Sequence, residues 1–276
     1  MLEKNRQHFQ YQKTTSVYTI HGSGEPIIFL HGFGLDSSIW KHQITYLSTY
    51  FKCISIDLPG FGNSSIAQNE LTESDFIAFE NISFYAHWLH ALLIELHISK
   101  CTIIGHSLGG YIAVEFAANY PDSINGIGCI HASFFDDDFT KKIGRQRGLH
   151  FIENYGINKY IQYTISSLFT TASLENKYIK RFIASIKKNH VANEIGIAYM
   201  KAMMNRKNNT QLLQNIKVPV LFVAGIADTI IPFSEILKQV SLPNCCYFHV
   251  LLNTSHMGML EESNMLNKLL LQYIKR

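Results

Sequence analysis

Short apolar runs rich in β-forming residues alternate with longer runs of helical spacing along most of this 276-residue chain. The short runs predict seven strands, over residues 16–20, 26–31, 51–57, 101–107, 124–133, 218–228 and 245–252. The longer runs predict helices over residues 37–47, 82–96, 108–121, 232–240 and 264–274. Such alternation is typical of an α/β protein with a mostly parallel sheet and helices on both faces. The first two strands flank the turn sequence HGSGE and are candidates to pair as a hairpin.

The alternation stops between residues 134 and 210, where only helical and polar stretches occur. We therefore expect an α/β core of residues 1–133 and 211–276, with 134–210 inserted as a helical lid over one end of the sheet. Apolar side chains of the lid are candidates to wall an acyl pocket, although at helical spacing they are also typical of packing against the core. They include Phe151, Ile152, Tyr155, Ile161 and Leu168.

A serine lies at an abrupt boundary between a predicted strand and a predicted helix, in the stretch GHSLGG at residues 105–110. Gly105 and Gly109 flank Ser107, and glycine tolerates both a sharp bend and close backbone approach. In this setting the Gly-x-Ser-x-Gly pattern predicts a nucleophile elbow, which exposes the serine oxygen at the end of a sheet. A plain tight turn is the alternative, so the chain must also supply a base, an orienting acid and oxyanion donors.

Two further polar residues follow predicted strands in the way that Ser107 does. His256 comes just after the last strand, and Asp228 ends the strand before it. The carboxyl ends of parallel strands meet at one edge of a sheet, where ligands bind. We therefore predict a catalytic triad of Ser107 as nucleophile, His256 as base and Asp228 as the group that orients the imidazole. Taken singly, His256 could be a surface histidine and Asp228 a helix cap, while His106 is expected to pack or form hydrogen bonds.

Acyl transfer also needs donors for the oxyanion of the tetrahedral intermediate. One is expected to be the backbone N–H of Leu108, directly after the serine. The other is expected to be the N–H of Phe33, since Gly32 and Gly34 would let the loop after the strand at 26–31 fold close to the site. The alternative for this loop is a plain glycine turn.

In this order along the chain, LHGFG (30–34), DLPGFGNS (57–64), GHSLGG (105–110), GIAD (225–228) and SHMG (255–258) resemble the α/β-hydrolase superfamily. The resemblance covers nearly the whole chain outside 134–210, the usual place for a variable lid. It implies an α/β-hydrolase fold with a mostly parallel eight-stranded sheet, and neither a metal nor an organic cofactor. A serine at position 107, rather than aspartate, sets the chain apart from dehalogenases and epoxide hydrolases.

Within the serine group, the stretch HGFGLDSSIW resembles carboxylesterases, including the pimeloyl-[acyl-carrier-protein] methyl ester esterases of biotin synthesis. The chain lacks the SGPG-type loop of many carbon–carbon bond hydrolases and the proline beside the oxyanion loop of many cofactor-free haloperoxidases. The resemblance therefore implies a serine carboxylesterase that works through an acyl-enzyme. A carbon–carbon bond or other non-ester hydrolase, an acyltransferase and a non-catalytic ligand-binding protein remain as alternatives.

Charge is spread unevenly, although the formal net charge of +3 is too small to argue for nucleic-acid binding. The predicted lid holds 13 Lys and Arg residues against 6 Asp and Glu residues, whereas the rest of the chain is mildly acidic. One interpretation is a solvated helical surface. The other is a positive rim that attracts an anionic ester or an acidic acyl carrier protein. The densest part of this basic cluster is formed by Lys141, Lys142, Arg145 and Arg147.

Composition sets the remaining limits. The polar N-terminal stretch lacks the apolar core of a signal peptide, and no run approaches the roughly 18 apolar residues of a membrane span. We therefore expect a cytoplasmic protein. Five cysteines without framework spacing favour free thiols over disulfides or metal ligands.

Overall fold

The computed structural model describes residues 6–276 and is built around a sheet of nine strands within that range. The sheet runs in the order β1-β2-β4-β3-β6-β7-β8-β9, and the two-residue β5 pairs with β2. All neighbours from β4 to β9 are parallel, whereas β2 is antiparallel to β1, β4 and β5. The strands are β1 (Arg6–Tyr11), β2 (Thr14–His21), β3 (Pro26–Leu30), β4 (Lys52–Ile56), β5 (Ser65–Ile66), β6 (Cys101–His106), β7 (Ile124–Ile130), β8 (Val220–Gly225) and β9 (Cys246–Leu251).

The mostly parallel sheet is confirmed, with two differences from the sequence prediction. The first two predicted strands, β2 and β3, do not form a hairpin, because β4 lies between them and pairs with both. The additional strand β1 was not predicted, since its side chains are mostly exposed at the edge of the sheet and the segment therefore reads as polar. Together with the short β5, it raises the count from the seven strands predicted along the chain to nine in the described residues, one more than the resemblance implies.

Twelve α-helices occur in residues 6–276. On the sheet, α4 packs against β3, β6 and β7 and is covered by α3, while α1 packs against β4 and α12 against both α1 and β9. The helices are α1 (Lys41–Leu47), α2 (Glu73–Phe79), α3 (Ile82–Glu95), α4 (Leu108–Asn119), α5 (Phe139–Tyr155), α6 (Ile157–Thr164), α7 (Lys177–Ile186), α8 (Asn193–Asn205), α9 (Thr210–Asn215), α10 (Phe233–Leu237), α11 (Gly258–Glu261) and α12 (Ser263–Ile274). No helix in this range is both long and apolar enough to cross a membrane.

Burial explains why the central elements read as continuous apolar runs. Every residue of β6 and β8 is buried, as expected for parallel strands covered on both faces. Helix α4 is buried around most of its circumference, from Leu108 to Ala117. The thiols of Cys53, Cys101 and Cys129 are free and buried, as the sequence predicted.

The segment between β7 and β8 contains α5 to α9 and no strand. Within it, α5 packs against α8 and α6, and α8 reaches back to contact α2 and α3. The amphipathic helices of this segment bury residues such as Ile152, Ile157 and Ile161 in a core continuous with that of the sheet. The segment is thus helical and docked on the remainder of the chain.

Candidate active site

The backbone makes a strained corner where β6 passes into α4. Ser107 lies at this corner with φ 50° and ψ −113°, in a region that side chains other than glycine rarely occupy. Its N–H donates to the Ile130 carbonyl at 3.1 Å, and its own carbonyl accepts from Gly110 at 2.9 Å. Such strain persists only where the surroundings enforce it and clusters at functional sites. The serine is therefore held at the carboxyl edge of the sheet, between β6 and the end of β7.

The glycines of this corner are required by close backbone approach. A Cβ on Gly105 would lie 2.3 Å from the Gly109 carbonyl oxygen. A Cβ on Gly109 would lie 2.4 Å from the carbonyl oxygen of Leu30 and 2.8 Å from that of His31. The first turn of α4 therefore abuts the start of the loop that follows β3, which is the arrangement that the predicted oxyanion donors need.

Two histidines position this loop after β3. His31 is fully buried; its Nε2 accepts the Leu58 N–H at 2.9 Å, so its Nδ1–H donates to the Gly32 carbonyl at 2.8 Å. A Cβ on Gly32 would lie 2.7 Å from Nδ1 of His106, so the loop also rests against that ring. Gly34 has φ +71°, a conformation that favours glycine. These contacts hold the chain on both sides of Phe33, whose N–H is the predicted donor.

A hydrogen bond joins Asp228 to His256. The His256 Nδ1 lies 2.8 Å from Asp228 Oδ2, and both side chains are almost completely buried. The other oxygen, Oδ1, accepts the N–H groups of Ile230 and Ile231, each at 2.9 Å. Burial alone would raise the pKa of the Asp228 carboxyl, but the attraction of His256 and the imidazole hydrogen bonds outweigh it and lower that pKa well below its usual value. The carboxylate is therefore ionised and aimed at His256.

His106 lies between Ser107 and the His256 loop. Its Nε2–H donates to the His256 carbonyl at 2.9 Å, and the two rings are 4.8 Å apart between centroids. Burial, followed by the neighbouring His256 and His131, lowers the pKa of His106 well below its usual value, so it stays neutral. His106 thus forms a hydrogen bond, as expected. Because it directly precedes Ser107 in the chain, this bond holds His256 close to the serine.

A second imidazole on Asp228 was not predicted. His131 Nδ1 lies 3.0 Å from the same Oδ2 that His256 contacts, and its side chain is completely buried. The residue follows β7 directly, so the rule that identified Asp228 and His256 could have found it. It was missed because the stretch containing it was assigned to a strand that ran on to residue 133.

The cluster of His131, Asp228 and His256 is compact enough to raise the question of a metal, since its candidate ligand atoms all lie within 4.8 Å of one another. However, His131 Nε2 accepts the Gly258 N–H at 3.2 Å, which places the imidazole proton on Nδ1. A protonated Nδ1 donates to the carboxylate and cannot bind a cation. The hydrogen bonds therefore favour proton chemistry at this cluster.

The segment between β7 and β8 contacts the candidate site directly. The His256 N–H donates to the Leu168 carbonyl at 3.0 Å. Glu261 joins the same two parts of the chain, because its carboxylate accepts from Thr170 N at 2.8 Å and from Ser255 N at 2.9 Å. Three of the apolar residues proposed to wall a pocket can be placed relative to this contact. Leu168 takes part in it, and the Ile161 side chain lies next to Gly34. Tyr155 is exposed.

The four residues of the predicted basic rim fall into two groups. Lys141 pairs with Glu235, and Arg145 pairs with the buried Asp137, which also binds Arg206 at 2.8 Å. Lys141 is neutralised by Glu235, whereas the single negative charge of Asp137 is shared by Arg145 and Arg206 and balances only one of the two. Lys142 and Arg147 are exposed on α5, and they are the two residues of the predicted rim that lie outside these ion pairs.

Comparison with known proteins identifies the family of this chain. A family model described as alpha/beta hydrolase fold matches residues 25–263. The chain is 26% identical to a pimeloyl-[acyl-carrier protein] methyl ester esterase of Wigglesworthia glossinidia brevipalpis over 94% of this chain and 97% of that protein. It is 24% identical to the protein of the same name from Legionella pneumophila (strain Lens), over 92% and 97%.

Solved structures show the same fold. A thermophilic esterase from Thermogutta terrifontis superposes with a TM-score of 0.85 at 24% identity, covering 98% of both chains. The enol-lactonase from Burkholderia xenovorans LB400 also has a TM-score of 0.85, at 19% identity, covering 98% of this chain and 100% of its own.

Proposed function

Because this chain belongs to the α/β-hydrolase fold family, we propose that it is a serine hydrolase that cleaves carboxylic esters through an acyl-enzyme. The observation that carries the proposal is the buried hydrogen bond between Asp228 and His256 at the edge of the sheet where the half-buried Ser107 also lies. A neutral imidazole held with Nδ1–H on a carboxylate leaves Nε2 free to accept a proton, which is what a serine nucleophile requires.

In this mechanism the Ser107 oxygen attacks the ester carbonyl carbon while its proton passes to Nε2 of His256. The Asp228 carboxylate stabilises the imidazolium that forms. The carbonyl oxygen becomes an oxyanion and accepts hydrogen bonds from the N–H groups of Phe33 and Leu108. Collapse breaks the bond to the alcohol oxygen, which takes the proton from His256. Water then attacks the acyl-enzyme with the same base and releases the acid.

The ester class is supported by the relatives, which are named for the hydrolysis of an acyl-carrier-linked methyl ester. We place the catalytic core in residues 1–133 and 211–276 and the lid in 134–210, whose contacts with His256 and the loop at Gly34 fit this role. No cofactor or metal enters the proposed reaction, because every proton and charge in it has a side chain or a backbone N–H to carry it.

The test is a panel of p-nitrophenyl esters of graded acyl length, with Ser107→Ala as the control. We expect hydrolysis by the native protein and a loss of about a thousandfold or more in kcat for the variant. A fluorophosphonate probe should label the native protein and not the variant. Failure to label the folded native protein would favour a ligand-binding role.

Two other outcomes separate the remaining alternatives. Cleavage of a vinylogous diketone but of no ester in the panel would favour a carbon–carbon bond hydrolase. Product analysis with added alcohols or amines tests acyl transfer, because a transferase forms the new ester or amide in preference to the free acid.

An acidic acyl carrier protein is the proposed source of the ester, and Lys142 and Arg147 are its proposed contacts. We expect Lys142→Glu with Arg147→Glu to lower kcat/KM for a carrier-bound methyl ester and to weaken its salt dependence. Activity on a small neutral ester should not change. Lys268→Glu, at an exposed position on α12, is the control for added negative charge. Equal effects of the two changes would refute the carrier contact.

A further inference from the structure

We propose that His131 is a positioning residue, which fixes the Asp228 carboxylate so that its Oδ2 faces the base His256. This inference rests on the proposed function, since it assigns His131 a part in the same reaction. His131 would not touch the substrate or the reacting atoms, and it would act through Asp228.

The first support is the way the carboxylate is shared. Oδ1 of Asp228 is anchored by two backbone N–H groups, and Oδ2 receives one imidazole N–H from each of His131 and His256. Each oxygen therefore has two donors, on opposite sides of the group. Rotation about the bond to the carboxylate would break four hydrogen bonds at once. His256 thus faces an acceptor whose direction is fixed before any substrate binds.

The second support is that His131 is itself fixed at both ends. Its backbone N–H donates to the Val223 carbonyl at 2.9 Å, which ties it to β8. Its ring Nε2 accepts the Gly258 N–H, so the ring cannot turn without losing a partner at each nitrogen. A Cβ on Gly258 would lie 2.6 Å from this Nε2, and the loop that carries His256 therefore packs directly on the ring.

The third support is backbone strain. His131 has φ +51°, a left-handed conformation that residues with a side chain rarely adopt. Such conformations persist where the surrounding structure enforces them and are concentrated at functional sites. This conformation turns the chain at the end of β7 so that the ring of His131 meets Asp228.

The charge balance around the cluster suits a neutral donor. Burial lowers the pKa of His131 in spite of the neighbouring carboxylate, so the ring donates its N–H without adding a second positive charge. The other titratable groups that face the two rings are His106 and Glu261. His106 is neutral, and the Glu261 carboxylate is held by Ser255 and Thr170. The one cation formed during the reaction is then the imidazolium of His256.

The experiment compares His131→Ala with His131→Asn. Asparagine tolerates left-handed backbone, and its amide N–H₂ occupies the position of the imidazole Nδ1, so it keeps the donor. We expect His131→Ala to lose about tenfold to a hundredfold in kcat with KM little changed, the range for one hydrogen bond to a charged group. His131→Asn should recover most of that loss. The acidic limb of the pH profile of kcat/KM should move in His131→Ala alone.

An NMR measurement that does not depend on turnover completes the test, and its first part uses the native protein alone. ¹⁵N and low-field ¹H NMR of histidine-labelled native protein should show His131 neutral, with its proton on Nδ1 and bonded to Asp228. The low-field Nδ1–H signal of His256 should weaken in His131→Ala and persist in His131→Asn. A proton on Nε2 of His131, or unchanged kcat and His256 signal in folded His131→Ala, would overturn the proposal. Absence of ester hydrolysis with these NMR signals intact would instead count against the proposed function.

Discussion

Replacing Asp228 by asparagine tests the proposed triad through hydrogen bonds that the structure specifies. The native carboxylate accepts four N–H groups, two from the backbone of Ile230 and Ile231 and two from the rings of His131 and His256. An amide has only one accepting oxygen. If that oxygen stays on the backbone donors, the amide N–H₂ faces both imidazoles and forces each to move its proton to Nε2.

The kinetic consequence follows from the tautomer. With its proton on Nε2, His256 cannot accept one from Ser107, and holding the base in the wrong tautomer costs about 10⁴-fold in kcat, or about 5 kcal/mol of barrier. In the other orientation the amide oxygen faces the two imidazoles. The buried N–H groups of Ile230 and Ile231 then have no acceptor, which costs about 1–3 kcal/mol of stability each. We therefore expect Asp228→Asn to lose both activity and stability.

The pH dependence of stability gives an independent measure. The folded-state pKa of Asp228 lies below its unfolded value, so the carboxylate stabilises the protein above the unfolded pKa, near 3.9. This contribution is lost as the pH falls through the folded pKa. Denaturant unfolding of Asp228→Asn should show a smaller gain in stability between about pH 3 and pH 6 than the native protein shows.

The assay is kcat/KM for the best ester of the panel, with Asp57→Asn as the matched control. Asp57 is also a buried carboxylate, and it accepts N–H groups from Ser37 and Asn63 but from no imidazole. Loss of stability in both variants with loss of turnover in Asp228→Asn alone is the expected result. Turnover of Asp228→Asn within about tenfold of native, or an equal loss in the control, would refute the assigned role.

Three further changes follow from contacts at the same edge of the sheet. Ser107→Gly should abolish esterase activity, as Ser107→Ala does. The glycine variant should nevertheless unfold at a higher temperature than the alanine variant, because glycine relieves the backbone strain at φ 50° by about 1 kcal/mol. Gly109→Ala should lower the free energy of unfolding by about 2 kcal/mol or more and reduce kcat, since its Cβ would lie 2.4 Å from the Leu30 carbonyl oxygen; unchanged urea unfolding would contradict this. Glu261→Gln should weaken the hold on Thr170, so limited proteolysis should cut the segment around it faster than in native protein.

Much of the candidate site was predictable because its parts depend on local rules. Gly105, Ser107 and Gly109 are recognisable since a sharp corner between strand and helix admits few residues. Asp228 and His256 were found by one topological rule, that side chains after parallel strands meet at a common edge. In the structure, His256 Nδ1 lies 2.8 Å from Asp228 Oδ2.

The remaining features depend on contacts between residues far apart in the chain, which no local pattern encodes. The pairing of β2 with β4 rather than β3 is one such case. The partners of the predicted rim are another, because Lys141 pairs with Glu235 and is no longer a free cation. His131 is a different case, because it directly follows β7 and the rule for residues after parallel strands applies to it; it was missed because its stretch was assigned to the strand itself.

The hydrogen bond from the His256 N–H to the Leu168 carbonyl couples the segment between β7 and β8 to the proposed base. If a bulky ester has to displace the residues around Leu168 to reach Ser107 in the proposed reaction, that movement breaks this hydrogen bond and releases the backbone that carries the proposed base. Such an ester must bind first, and the reaction can begin only after the residues around Leu168 have returned to their place. An ester small enough to bind without displacing these residues meets a base that is already in place. Turnover should therefore depend on the bulk of the ester through a closing step that occurs before any bond to the acyl group is made or broken.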